Sequence, residues 1–424
     1  MYSRDELDNG IRVIMETIPY VNSTSIGIFI NNGITKEDKS TNGISHFIEH
    51  MLFKGTKNRT AKNIAQSIDN IGGQINAYTS TEYTCFYIKV LDRHLSIAVE
   101  LLSDMFHNSL FDEEDIEKEK GVISEEIKMY LDSPEDLVYD LLSRLMFENT
   151  TLALPILGSY ETINSFTRES ILKYYNRNYI PENMVISVVG NFNSKNTLEL
   201  LNENFNNNSI YTINNNKSNN MPNIKQNLGY KHKDIEQLNL CIGMEGVKRG
   251  SDALYPLLVL NNIFGGSMSS RLFQKIREDK GLAYSVYSHT VSFQETGAFN
   301  IYAGLGVDQI INVAKLISGD IQDLKINLIT KDELTKSKEQ LKGNYILGME
   351  STFNRMLDIG RSELLVNKMF TPEEVLKKID VVKMDDIENI VYKIFDKSKY
   401  NIAYVGKLDD HEKIQQNLKE IFFN

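Results

Sequence analysis

The sequence predicts two similar α+β domains related by internal duplication, each an antiparallel-rich sheet packed with helices. Three observations lead there. An Asn-rich stretch, 202–226, interrupts the apolar periodicity at the midpoint of a 424-residue chain. On each side of it, two alternating strands are followed by two long amphipathic helices. An apolar run ending in glycine then recurs late in each half, at Gly190 and Gly406. The length agrees, because one ordinary core does not serve a chain of this size.

The elements follow in order. GGQINAYTSTEYTCFYIKVL (72–91) alternates apolar and polar residues, as a pair of antiparallel strands must when one face is buried. Amphipathic helices follow over roughly 93–107 and 113–131. YIPENMVISVVGNF (179–192) reads as a buried strand ending at Gly190. The Asn-rich stretch favours turns and has nothing with which to pack a core, so it reads as a linker. Beyond it the plan repeats. GLAYSVYSHTVSFQETGAFNIYAGL (281–305) supplies two strands, helices follow over roughly 308–325 and 331–350, and KYNIAYVGKL (399–408) is the closing strand. This divides the chain into a chemistry-bearing domain 1–205, a linker 206–227 and a second domain 228–424. A single doubly wound α/β domain is the competing architecture, and the central position of the linker favours duplication.

Composition narrows the function. Lys and Arg number 46 against 57 Asp and Glu, a formal net charge of −11, which excludes a general nucleic-acid binder that must neutralise phosphates. It is compatible with attracting basic peptides. The opening MYSRDELDNGIRVIM lacks the apolar core of a signal peptide, and no run of about eighteen apolar residues follows, so neither export nor membrane insertion is expected. The two cysteines, Cys85 and Cys241, lie in separate apolar runs and read as buried, reduced thiols of a cytoplasmic protein.

The chemistry concentrates in GISHFIEHMLFKGT (43–56). Ile44, Phe47, Ile48, Met51 and Leu52 recur at helical spacing, so one side of the segment packs on its domain. His46 and His50, four apart, project from one helical face, as two ligands of one ion must. Glu49 lies on the edge of that face and can reach a water beside the metal without ligating it. Neutral imidazoles suit Zn²⁺, and a catalytic zinc takes three protein ligands and keeps one position open. The competing interpretation is a helix whose two histidines make ordinary hydrogen bonds. Cobalt or manganese would suit the same donors.

The third ligand is sought in EKEKGVISEEIKMY (117–130), where Glu119, Glu125 and Glu126 compete. Helical neighbours Val122, Ile123, Met129 and Tyr130 place Glu126 on an apolar stripe, where a carboxylate needs a cation. Glu125 can turn to solvent. Glu119, seven residues before Glu126 on the same stripe, is placed to hydrogen-bond a ligand histidine rather than the metal. One zinc per chain, held by His46, His50 and Glu126, is the expectation.

H-x-x-E-H, followed some seventy-five residues later by a glutamate, resembles the pitrilysin family, which includes insulin-degrading enzyme and mitochondrial processing peptidase. The likeness extends through LDNGIRVIMETIP, GGQINAYTSTEYT, EEIKMYLDSPED and GGSMSSRLFQKIREDKGLAYSVYS. The resemblance implies a compact bacterial-type subunit and a homodimer closing into a chamber around an extended peptide. It implies His46 and His50 as ligands, Glu49 as base, Glu126 as third ligand and Glu119 as supporting acid. Asn76 and Ala77 match the edge strand that receives the peptide, and Arg277 and Tyr284 match a pair that holds the peptide backbone and stabilises the oxyanion. The function so implied is zinc metalloendopeptidase. The alternative is a non-catalytic scaffold subunit of a processing-peptidase-like complex, whose relatives have lost part of the metal motif that this chain retains.

Overall fold

The computed structural model describes residues 2–206 and 222–424, so the expected linker falls largely outside the described residues. Two compact units result, each built on one sheet.

In the first half the chain forms β1 (Tyr2–Glu6), β2 (Arg12–Thr17), β3 (Ser23–Ile30), α1 (Ile44–Leu52), α2 (Ala61–Asp69), β4 (Gln74–Thr79) and β5 (Thr84–Leu91). It continues with α3 (Leu95–Asn108), α4 (Glu113–Asp132), α5 (Pro134–Met146), α6 (Tyr160–Ser165), α7 (Arg168–Asn178), β6 (Met184–Gly190) and α8 (Ser194–Phe205). The second half forms β7 (Asn227–His232), β8 (Gln237–Glu245), α9 (Leu254–Phe264), a π-helical turn Phe273–Glu278, β9 (Ala283–Ser292) and β10 (Gly297–Gly306). It ends with α10 (Ile310–Asn327), α11 (Lys331–Gly348), α12 (Thr352–Val366), α13 (Pro372–Asp380), α14 (Met384–Ile394), β11 (Asn401–Gly406) and α15 (His411–Phe422). The strands and long helices expected from periodicity all form, with ends shifted by a few residues.

The first sheet has the order β1-β2-β6-β3-β5-β4 and the second β7-β11-β8-β10-β9. The duplication is plain in the pairings. β2 runs parallel to β6 as β7 does to β11, and every remaining shared neighbour is antiparallel. Among the described residues, the first sheet adds β1 at one edge.

Both faces of each sheet are covered, which explains why β6 (MVISVVG) is buried at every residue and reads as an unbroken apolar run. On one face of the first sheet, Val13, Met15, Ile26, Ile28 and Ile186 pack with Phe47, Ile48 and Met51 of α1 and with residues of α3, α4 and α7. On the other, Ile14, Phe29, Cys85 and Val185 meet Met356, Ile359 and Leu364 of α12. The second sheet repeats this. Leu240, Ile242, Phe299 and Tyr404 face α9, α10 and α14, while Cys241, Tyr302, Ala403 and Val405 meet Leu137, Val138, Leu142 and Met146 of α5. Cys85 and Cys241 are thus free, buried thiols in different cores.

The covering helices are exchanged. The first unit takes Leu347–Phe370, with α12, from late in the chain, and the second takes Met129–Ala153, with α5, from the first half. Each contact is close at a strand glycine. A Cβ on Gly27 would collide with the Met356 sulfur, and one on Gly243 with that of Met146. Two buried hydroxyls on the α12 face are satisfied, Ser25 by Thr352 Oγ1 at 3.0 Å and Ser187 by the Met356 carbonyl at 2.9 Å.

Candidate metal centre

The helix α1 begins without a capping side chain of its own, at Gly43 with φ 92°. Its orphan amides are taken instead by Glu37, a buried carboxylate that accepts from Gly43 N at 2.8 Å, Ser45 N at 2.9 Å and Asn42 Nδ2 at 3.0 Å. An anion at a helix N-terminus is favourable, although burial still raises the Glu37 pKa against the hydrogen bonds from Ser45, Gly43 and Asn42. Gly43 admits no side chain, because a Cβ would come within 2.8 Å of the Leu157 carbonyl. The apolar side of α1 sinks into the core at Ile44, Phe47, Ile48, Met51 and Leu52, leaving His46, Glu49 and His50 on its remaining face.

His46 and His50 are neighbours, with ring centroids 4.5 Å apart. Glu126 of α4 comes to both, its Oε2 lying 3.6 Å from His46 Nε2 and 3.7 Å from His50 Nε2. All three ligand atoms fall within 4.8 Å of one another. Two donors, each about 2.1 Å from a shared ion, lie roughly 3.4 Å apart at the tetrahedral angle, so this donor set fits a zinc ion. The tautomer also fits. His50 Nδ1 is 2.7 Å from Glu119 Oε1, which reserves Nε2 for a metal. Among the described residues His46 has no such partner, and its buried Nδ1 is without a hydrogen bond.

The charges follow from burial. Burial pushes His46 down to about 3, assisted by the nearby His50, so its imidazole is neutral, as a ligand requires. Burial would lower His50 as well, but the hydrogen bond and charge of Glu119 outweigh it, with Glu49 and Glu126 adding, and its pKa rises. Glu119 is 2 % exposed; burial opposes its charge, yet His50 and Lys54 hold its pKa below the ordinary carboxylate value.

Glu126 does not lie on the buried stripe of its helix. On α4 the buried positions are Ile116, Glu119, Ile123 and Ile127. Val122 and Met129, the expected apolar neighbours of Glu126, are 49 % and 74 % exposed. The carboxylate on the buried stripe is Glu119, which has Lys54 and His50 as partners. Glu126 stands on the open side, where it can meet an ion from solvent. Glu125 points to water and pairs with Lys128.

Glu49 lies beside the histidines, and burial raises its pKa against a hydrogen bond from Thr79. A cavity of about 420 Å³ opens here, lined by Glu49, His50, Phe53, Ile64, Ile75 and Asn76 among others. Asn76 and Ala77 sit on β4, the edge strand of the first sheet. The outward Ala77 amide already donates to Asn76 Oδ1 at 2.8 Å, so the Asn76 side chain covers a backbone donor that an added strand would use.

Arg277 and Tyr284 lie in the second unit, the first on the π-helical turn and the second at the start of β9. The structure brings these two together. The Arg277 guanidinium is 4.9 Å from the Phe273 ring and 5.5 Å from the Tyr284 ring, a stacked arrangement that steadies a cation. Tyr284 is 77 % exposed and lines, with Arg277, Gln237 and Gln309, a cavity of about 440 Å³.

Three residues escaped the sequence reading. Thr79 had a legible signal, since it alternates with Ile75 and Ala77 on one side of β4. Lys54, one turn beyond His50, was also legible as a helix neighbour. Glu37 had none, because its role depends on the path of a loop.

Residues 12–159 match the insulinase family of peptidases (peptidase family M16), and residues 165–341 match the peptidase M16 inactive domain. A Bacillus subtilis protein called uncharacterized zinc protease YmxG is 43 % identical over 96 % of this chain and 98 % of its own length. An uncharacterized zinc protease of Streptomyces coelicolor is 34 % identical over 96 % and 90 %. The fold matches a protease from Helicobacter pylori, with TM-score 0.89 and 22 % identity over 96 % of this chain and 99 % of that one. It also matches a chain of complex III2 from Candida albicans, with TM-score 0.84 and 20 % identity over 99 % of each. The repeated fold, the H-x-x-E-H helix and relationships that span nearly the whole chain place it in the insulinase family of peptidases, family M16.

Proposed function

We propose that the chain is a zinc-dependent endopeptidase acting on peptides or unfolded segments bound in extended form. One observation carries this reading: His46, His50 and Glu126 converge beside a carboxylate, Glu49, that faces an open cavity next to an edge strand. A zinc ion held by these three would supply positive charge that acidifies a water and polarises the scissile carbonyl. Glu49 accepts the proton of that water as it attacks, and later delivers it to the leaving amine. Glu119 holds His50 in the ligating tautomer, and Lys54 compensates the Glu119 charge. The peptide lies along β4, where the Asn76 amide swings from Ala77 to a substrate carbonyl and frees the backbone donor beneath it. Arg277 and Tyr284 contribute a guanidinium for the peptide backbone and a phenol for the oxyanion.

We further propose that the protein works as a cytoplasmic homodimer that encloses its substrate. Among the described residues no helix is long and apolar enough to cross a membrane. Retention of all three donors together with Glu49 argues against a purely scaffolding role.

The test is cleavage of an unbiased peptide library by the zinc-loaded chain, with and without chelator. Glu49→Gln should lower cleavage at least ~10²-fold, the range of a lost general base, while zinc stays near one per chain. Undiminished cleavage by this variant would remove Glu49 as the base. Light scattering on the purified chain reads the oligomeric state directly.

A further inference from the structure

A contact between the edge strand and Glu49 deepens the peptidase reading, on which this inference rests. Alternate residues of a strand point the same way, so Ile75, Ala77 and Thr79 share the side of β4 toward α1. Ile75 and Ala77 are half-buried there against the core. Thr79 ends the strand, and its hydroxyl donates to Glu49 Oε2 at 2.5 Å, a length usual for a hydroxyl bonded to a carboxylate. Among the described residues, this is the hydrogen bond that Glu49 receives.

The donor is itself held. Threonine is β-branched and stiff about its first torsion, so the backbone restricts where its hydroxyl oxygen lies. That backbone pairs with Thr84 of β5, whose own hydroxyl donates to the Asn32 carbonyl at 2.8 Å. Glutamate, by contrast, has three free torsions, and a general base works only within about 2.6–3.2 Å of its proton.

We infer that Thr79 is a positioning residue for the base: it fixes the Glu49 carboxylate through Oε2, leaves Oε1 for the attacking water, and ties the base to the strand that receives the peptide. The side chain that aims the base and the backbone that binds the substrate then belong to one element, and both stay in register when a peptide adds to the edge.

The experiment compares Thr79→Val, which keeps the branched shape without the donor, with Thr79→Ser, which keeps the donor. Both are assayed zinc-loaded for kcat and KM, and zinc affinity is measured by chelator competition. Thr79→Val should lower kcat about tenfold or more with KM and zinc affinity within twofold of wild type, the effect of losing a hydrogen bond to a charged group. Thr79→Ser should keep at least a third of kcat. Thr79→Ala removes the donor without adding a methyl and should give the same split, which separates the lost bond from any misfit of valine. Unchanged kcat in Thr79→Val, equal losses in the valine and serine variants, or a loss appearing in KM or zinc affinity instead would overturn the role. Wild-type activity reports separately on the peptidase reading. A zinc-loaded wild type that cleaves nothing overturns both, whereas an active wild type with an unimpaired Thr79→Val overturns only Thr79.

Discussion

At the scale of single residues, the metal centre is a chain of paired polar groups. Lys54 meets Glu119, Glu119 meets His50 at 2.7 Å, and His50 turns its other nitrogen toward Glu126. Only Glu119 in this chain is deeply buried. A buried carboxylate with two cationic or polar partners orients its neighbours, and removing such a support typically weakens metal binding 10- to 100-fold. Glu119→Ala should therefore lower zinc affinity by about that factor in chelator competition, with secondary structure by circular dichroism intact. A change below threefold would reduce Glu119 to a packing residue. Much of this scale was legible, since ligands must share a helical face and His46 and His50 do. The apolar stripe around Glu126 was not legible, because a single helix pattern does not reveal which apolar positions face solvent. Val122 and Met129 look like core residues in sequence and stand exposed in the fold.

At the scale of elements, Asp104 of α3 fastens the turn that follows α1. Its carboxylate accepts from Thr56 Oγ1 at 2.7 Å, Asn58 Nδ2 at 2.6 Å, Arg59 Nη1 at 2.8 Å and Asn108 Nδ2 at 2.8 Å. Burial would raise its pKa, but bonds from Thr56, Arg59, Asn58 and Asn108 outweigh it and hold the group below the ordinary aspartate value. A carboxyl depressed in the folded state stabilises above its unfolded pKa of about 3.9 and loses that contribution as pH falls through its folded value. Asp104→Asn should thus cost about 2 kcal/mol at pH 7 in urea denaturation, and its gap from wild type should narrow below pH 4. A gap that stays constant down to pH 3 would show that charge plays no part. Among the described residues, only the first unit carries these donors. In the second unit, α9 has no histidine, and Asn262 bonds Ser337 Oγ at 3.1 Å and Gln340 Oε1 at 3.0 Å on α11. Neutral groups thus join a helix pair laid out like α1 and α4. The repeated strands were readable from alternation and from the glycines that end them. Which sheet a helix covers was not, because an amphipathic stripe states that a face is buried but not against what.

At the scale of the whole molecule, α5 and α12 make the halves of the sequence and the compact units different things. A fragment ending at residue 205 lacks α12, so Ile14, Phe29, Val185 and Val189 lose the helix that covers them. Such a fragment should be soluble only poorly, bind an apolar dye and melt without a cooperative transition. Co-expression with residues 206–424 should restore a cooperative melt, since that piece brings α12 and receives α5 from its partner fragment. A fragment 1–205 that melts cooperatively alone would show that α12 is dispensable. The exchange also sets a schedule. During synthesis the first sheet is made by residue 190 but its cover arrives only at residue 366. At about 5–20 residues per second, that gap lasts on the order of 10–30 s on the ribosome, during which an apolar face stands open to other nascent chains. The demand this fold makes on the cell is therefore one of time, and it falls on whatever shelters the growing chain before any peptide is cut.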